Sequence, residues 1–291
     1  MVGEEGIPEV LGVNINGDLE DRDIVRIAKR CKLPIWIGDN PLFKDPFYVA
    51  DLIADYVSFV GFGVVTVERG CKEILNKFKT LVNEHKDTTF ALGIGAGSLR
   101  GYEGLRAVLN CLRILRDDVK ILLCGCSSPV ITAESSKIVD GILFNYGYPD
   151  HLKWIYRYLK RDVCKVAYAP SLILPSEFEK DLLIACAIVS CSSESFVKSL
   201  GYESMFQELS KLDFREVIVK RKEENTIPEV IEKYRRILIE KFAIAGNFER
   251  FIERVRELLK ICDHVVLGDP FFRDRRSLEC VKDVLRQLKY V

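Results

Sequence analysis

TTFALGIGAGSLRG, residues 88–101, begins as a strand and ends as a run of glycines. Thr89, Phe90, Ala91 and Leu92 suit a short buried strand, and Gly93, Gly95 and Gly97 then put a single hydrogen at every second side-chain position. A backbone stripped in this way can come very close to another group. G-x-G-x-G after a strand invites a dinucleotide reading, with pyrophosphate on the next helix N-terminus. That fingerprint, however, sits in the first strand-helix unit and wants an acidic residue about 20 positions on, whereas three strand-helix units precede this stretch. It reads instead as the fourth βα connection of a longer α/β array, and in a (β/α)8 barrel such connections build the active face. A glycine-rich turn with no ligand is the plain alternative.

Working outward, residues 10–15 form a β-branched first strand that ends at Asn14, Asn16 and Gly17, and Asp18 is placed to cap a helix through Lys32. A second strand, 34–37, closes on Gly38, Asp39, Asn40 and Pro41, with 46–55 helical after it. The third strand, 56–61, is followed by Phe62, Gly63 and Val64 and by a helix over 71–84. Beyond the glycines, helix 102–115 carries Leu105, Val108, Leu109, Leu112 and Leu115 on one stripe. The fifth strand is 119–123, and the turn GCSSP, 125–129, opens a helix with Ser127 or Ser128 as N-cap. Strands follow at 139–144, ending at Asn145, and within 163–173. The pattern over 176–241 is helical, and its charged stretch 220–225 reads as a solvated loop or helix end. Helix 247–262 leads to an eighth strand at 265–267, which stops at Gly268, Asp269 and Pro270, and helix 277–288 follows. Alternation without a composition break predicts one (β/α)8 TIM barrel domain over 1–291, with the helical segment 176–241 between strands 7 and 8.

Over 291 residues, 43 Lys+Arg balance 43 Asp+Glu, so charge makes no case for nucleic acid or an anionic membrane. No apolar run approaches the roughly 20 residues that span a bilayer, and MVGEEG is acidic rather than a signal peptide, which together imply a cytoplasmic protein. These totals are compatible with a homo-oligomer. Ten cysteines lie scattered without a C-x-x-C pair, and most are expected to be buried small hydrophobes. His85, His151 and His264 show no metal-ligand spacing, so no metal is expected. Scarce glutamine with abundant Lys, Glu and Arg fits a thermophile, where intracellular disulfides are less surprising.

Four segments together resemble the deazaflavin-dependent 5,10-methylenetetrahydromethanopterin reductases of the bacterial-luciferase-like barrels: GFGV (61–64), LGIGAGS (92–98), IVDGILFNYGYP (138–149), and EKFAIAGNFERFIERVRELL (240–259) running on into VVLGDP (265–270). Their order and spacing cover nearly the whole chain. The resemblance implies an oxidoreductase that transfers hydride at a carbon or iminium centre, with a deazaflavin (coenzyme F-420), or alternatively flavin mononucleotide, as cofactor and a small molecule as substrate.

The resemblance also implies a site, residue by residue. Asp39 and Asn40 match an Asp-His pair beside the deazaflavin ring, and Asn40 departs by losing a titratable imidazole. Gly63 and Val64 match a bulge with a non-prolyl cis peptide behind the ring, Gly61 opens the same GFGV segment, and Gly95 and Gly97 belong to the glycine segment. Gly125, Cys126, Ser127 and Ser128 match a turn whose backbone amides hold the cofactor phosphate. Asn145 matches an asparagine after the sixth strand, and Ala245, Gly246, Gly268, Asp269 and Pro270 line late connections. Asn14 and Ser98 stand where the reductases carry carboxylates, and the span from Ser98 to the fifth strand lacks an insertion. Asp39, Asn40, Asn14 and Ser98 are thus the catalytic candidates. Asp39 also suits a plain turn cap, and Glu68 and Arg69 suit either a charged substrate group or an ion pair. Cys124 and Cys126 are expected to face opposite ways, and Tyr146 and Tyr148 suit either stacking on a flat ligand or ordinary exposed loop positions. A barrel that has lost catalysis and binds only a cofactor or partner, or a flavin mononucleotide monooxygenase, are the competing functions.

Overall fold

The structure, a computed structural model, describes residues 10–192 and 194–288. The acidic amino terminus lies outside them. Nine strands occur among these residues: β1 (Leu11–Ile15), β2 (Ile35–Ile37), β3 (Phe59–Thr66), β4 (Thr89–Gly95), β5 (Leu122–Cys126), β6 (Gly141–Phe144), β7 (Cys164–Ile173), β8 (Ile244–Gly246) and β9 (His264–Gly268). They run in the order β6-β5-β4-β3-β2-β1-β9-β7-β8, and a β6–β7 pairing closes the ring. The fold is a closed parallel (β/α)8 barrel in which β1 to β7 and β9 are the staves. β8 pairs with the end of β7 from Ser171↔Ile244 to Ile173↔Gly246. Sequence reading missed β8, passing from the helical segment 176–241 straight to helix 247–262.

The chain divides into two compact units. Unit 1 (residues 1–144, 155–166 and 262–266) holds β1 to β6 and the first residues of β7 and β9. The closure is visible within it: Cys164 N–H donates to Asp140 O at 2.9 Å, Asp263 N–H to Lys165 O at 2.9 Å, and Val265 N–H to Val10 O at 2.9 Å. Trp36 fills the middle of this unit. A Cβ at Gly61 would lie 2.5 Å from its ring, and one at Gly12 would meet both Trp36 and His264 at 2.8 Å, so only glycine leaves room for the indole. The indole N–H donates to His264 Nε2 at 3.0 Å, which satisfies the polar edge of a fully buried ring.

Most of the glycines expected in loops belong to strands, which corrects the expectation above, while Gly61 falls in a strand as expected and Gly97 lies beyond the end of β4. Gly93 and Gly95 lie in β4, Gly61, Gly63 and Val64 in β3, and Gly125 and Cys126 in β5. Glycine has no side chain to mark a face, so its strands carry no alternation to read. Helix Asp21–Arg30 has Glu20 rather than Asp18 as its N-cap residue. Helix Cys71–Glu84 buries Ile74, Phe78 and Leu81, a single helical stripe, and is joined to helix Gly101–Leu115 by a Cys71–Cys111 disulfide. Of the remaining cysteines, Cys31, Cys124, Cys126, Cys186 and Cys262 are buried, as expected.

Unit 2 (145–154, 167–261 and 267–291) contains the helical segment, which resolves into Glu179–Cys191, Glu194–Ser199, Glu203–Leu209, Phe214–Glu224, Glu229–Lys233 and Arg235–Phe242. The charged stretch ends helix Phe214–Glu224, where Asn225 adopts a left-handed φ of 56°.

Candidate functional site

In unit 1 the register between β3 and β4 is regular from Phe59↔Thr89 to Phe62↔Leu92, then shifts and resumes at Val65↔Ile94. The Gly63-Val64 bond inside this bulge is cis, as the resemblance implied. The bulge turns the Val64 side chain onto the neighbouring glycines. A Cβ would lie 2.5 Å from Val64 Cγ2 at Gly95, 2.8 Å from Cγ1 at Gly125 and 3.3 Å from Cγ1 at Gly93. Glycines on two adjacent strands thus leave a recess, and Val64 fills it while remaining half-buried itself. At Gly95 and Gly125 the close approach foreseen from the glycines is to this side chain, whereas at Gly93 it is first to Phe62 O, 2.3 Å from a Cβ. Gly97, at φ 66°, then turns the chain out of the strand, and a Cβ there would sit 2.0 Å from Glu68 Oε2.

β5 ends in the Gly125–Ser128 turn. Ser128 is the N-cap residue of helix Pro129–Ser135 but makes no side-chain capping bond. The first helical bond runs from Thr132 N–H to Ser128 O at 3.1 Å, leaving the N–H groups of Val130 and Ile131 ahead of it. Cys126 offers only backbone here. Its Sγ lies 3.4 Å from Ser135 Oγ, and Cys124 and Cys126 are both buried. Two residues apart on one strand, they share a face, which overturns the expectation that they point opposite ways. The Cys126 contact together with burial pushes the Cys124 thiol well up, so it stays protonated.

The catalytic candidates are all occupied. Asn14 is buried and its amide donates to Trp36 O at 3.1 Å. Asn40 accepts from Leu42 N–H at 2.9 Å, which holds its own turn. Asp39 accepts a fork from Arg69, Nε at 2.8 Å and Nη2 at 2.7 Å, together with Thr66 N–H at 3.1 Å. Ser98 donates both its N–H, at 2.9 Å, and its hydroxyl to Glu68. Glu68 and Arg69 therefore bind protein groups. Hydrogen bonds from Ser98 hold the Glu68 carboxyl below its usual range, and the Asp39 hydrogen bond pushes Arg69 up.

No family model and no curated protein matches this sequence. Solved structures do match in fold. The coenzyme F420 dependent tetrahydromethanopterin reductase from Methanopyrus kandleri superposes with TM-score 0.69 at 17% identity, over 94% of this chain and 96% of that one. An F420-dependent secondary alcohol dehydrogenase, in complex with an F420-acetone adduct, gives 0.67 at 11% identity, over 95% and 98%. The oxygenating constituent of 3,6-diketocamphane monooxygenase from Pseudomonas putida, in complex with FMN, gives 0.56 at 8%, over 94% and 97%. The chain shares the (β/α)8 barrel fold of these proteins.

The remaining candidates fall in unit 2. Asn145 is exposed just after β6. Gly268, at the end of β9, lets the backbone of β7 come close, since a Cβ would lie 2.6 Å from Ala169 O. Ala245 and Gly246 belong to β8 rather than to a loop, and Asp269 is paired with Arg273 at 2.7 Å. Tyr146 is fully buried, contrary to expectation, with its ring centroid 3.8 Å from that of His151. Tyr148 accepts from Lys241 Nζ at 2.8 Å. Sequence reading missed Tyr168 on β7, a partly exposed phenol that desolvation and the nearby Asp269 push up and keep protonated. Nothing distinguishes that tyrosine in the sequence. Back in unit 1, Asp51, Glu84 and His85 bring ligand-type atoms within 4.8 Å of one another, but both His85 nitrogens already face carboxylates.

Proposed function

We propose that this protein is a deazaflavin- or flavin-dependent oxidoreductase that moves hydride at a carbon or iminium centre of a small molecule. The observation that carries the reading is the Val64 ledge: a half-buried β-branched side chain seated over Gly93, Gly95 and Gly125. A stiff apolar surface of this kind suits one face of a flat ring. Next to it, the uncommitted Ser128 hydroxyl and the Val130 and Ile131 N–H groups suit a phosphate. The fold likeness to proteins described with F420 or FMN supports the same cofactor class here.

A bound deazaflavin or flavin supplies the hydride chemistry itself. The residues of this chain bind and orient. Val64 backs the ring, and the 125–128 turn receives the phosphate. Asn14, Asn40 and Ser98 carry no titratable acid, and Asp39 is committed to Arg69, so the reading assigns the protein alignment rather than proton transfer.

Titration of the purified chain with oxidised coenzyme F-420 and with flavin mononucleotide, followed by fluorescence quenching, tests this reading. Saturable binding of one cofactor is expected, with turnover of at least one hydride acceptor. Binding without turnover across carbonyl and iminium acceptors would favour the non-catalytic barrel, and binding of neither cofactor would remove the proposal.

A further inference from the structure

We propose that Glu68 and Arg69 form a two-armed clamp that positions the connections after β2 and β4 around the Val64 ledge; its role toward a ligand rests on the function proposed above. Both residues lie in the 3-10 turn Val67–Arg69, which follows β3 directly. Arg69 reaches back to the β2 side. Its fork holds Asp39, while its Nη1 donates to Asp45 Oδ2 at 2.9 Å. Asp45 is itself the N-cap of helix Pro46–Ala54, accepting from Phe47 N–H at 2.8 Å, and also takes Lys77 at 3.0 Å. Desolvation pushes the Asp45 carboxyl up, but Lys77, Phe47 N–H and Arg69 outweigh it and hold the group ionised. One guanidinium therefore pins both ends of segment 39–45.

Glu68 reaches the other way. It accepts the Ser98 N–H and hydroxyl, and Gly97 has no Cβ to obstruct it. The base of the clamp is anchored as well, because helix Cys71–Glu84 begins two residues after Arg69 and is disulfide-linked to helix Gly101–Leu115, just past the Ser98 turn. The two arms differ in strength. The Asp39 side chain is 3% exposed, so a bidentate pair there is little screened, and its loss leaves a nearly buried charge with only the Thr66 N–H. Glu68 and Ser98 are exposed, so that arm is weaker and adjustable. The Arg69 arm thus sets where the ledge and the β2 connection sit, and the Glu68 arm tunes the β4 connection.

Backbone hydrogen exchange of the unliganded chain reads the clamp without any cofactor. In Glu68→Ala, exchange at Ser98 should rise roughly tenfold while Thr66 is unchanged, and in Arg69→Lys, which keeps the charge but loses the fork, Thr66 should rise while Ser98 is unchanged. With cofactor, Arg69→Lys should raise Kd about tenfold, with a near-unchanged melting temperature, and Asp39→Asn combined with it should add little further loss. Unchanged exchange in both variants, or a Kd that moves only in step with melting temperature, would overturn the clamp. A wild-type chain that binds neither cofactor removes the proposed function instead, and the clamp then stands or falls on the exchange rates.

Discussion

In unit 1 both ring nitrogens of His85 face carboxylates, Asp55 at 2.8 Å and Asp51 at 2.9 Å. In unit 2 His151 is fully buried with neither nitrogen hydrogen-bonded, its ring stacked on Phe196 at a centroid distance of 3.4 Å. The difference teaches how each region is held. The connections of unit 1 around His85 and Arg69 are tied by charge onto charge, as Arg69 with Asp39 and Asp45 also shows. Around His151, unit 2 uses apolar and aromatic burial, and it tolerates an imidazole that receives nothing for its lost water.

The opposite environments give opposite pH signs, and the larger effect belongs to His151. Burial pushes its pKa down to about 3 from the usual 6.5, so the unfolded chain takes up a proton well before the folded one. Stability is full above pH 6.5 and falls as pH drops from there toward 3, by on the order of a few kcal/mol if unit 2 unfolds with the rest. His151→Phe should therefore lose less melting temperature than wild type between pH 7.5 and pH 4.5; an identical loss would break the comparison.

The next effect tests the glycine packing of unit 1. Gly93→Ala puts a Cβ 2.3 Å from Phe62 O, a backbone atom that cannot swing aside, and should cost about 1 to 3 kcal/mol in denaturant unfolding. Gly70→Ala has no atom within 4 Å of its Cβ and differs only in its left-handed φ of 84°, so it should cost less than Gly93→Ala. A larger loss at Gly70 would contradict the recess.

The smallest effect is at His85. The Asp51 hydrogen bond, above all, pushes its pKa up despite opposing desolvation, so its contribution is present below pH 6.5 and is lost as pH rises through the folded value. The carboxylates are exposed, so His85→Ala should cost only a few tenths of a kcal/mol, at low pH and low salt. A loss larger at pH 8.5 than at pH 6 would reverse the assignment.

The barrel was legible because short apolar runs, several of them β-branched, alternate with amphipathic helices, and that pattern is local. The site was legible only as positions. That Gly93, Gly95 and Gly125 receive Val64 depends on register across three strands, and register is not written in any one of them. The Glu68–Ser98 and Arg69–Asp39 pairs span 30 residues each, and a sequence presents such charges equally well as solvated groups. Cys71 and Cys111, 40 residues apart, likewise carry no spacing signal. Tyr146 looked like a loop residue because its burial comes from His151 and Phe196, which reach it only through tertiary packing.

The central claim, that the Val64 ledge and the Gly125–Ser128 turn hold a phosphate-bearing flavin or deazaflavin, is tested most directly by paired titrations. Flavin mononucleotide is compared with riboflavin, and intact coenzyme F-420 with its phosphate-free chromophore, each by fluorescence quenching on the wild-type chain and on Ser128→Ala. The account predicts saturable binding of at least one phosphate-bearing ligand, roughly tenfold tighter than its phosphate-free partner, with part of that advantage lost in Ser128→Ala. Equal affinity within both pairs, or no saturable binding by a folded chain, would contradict it.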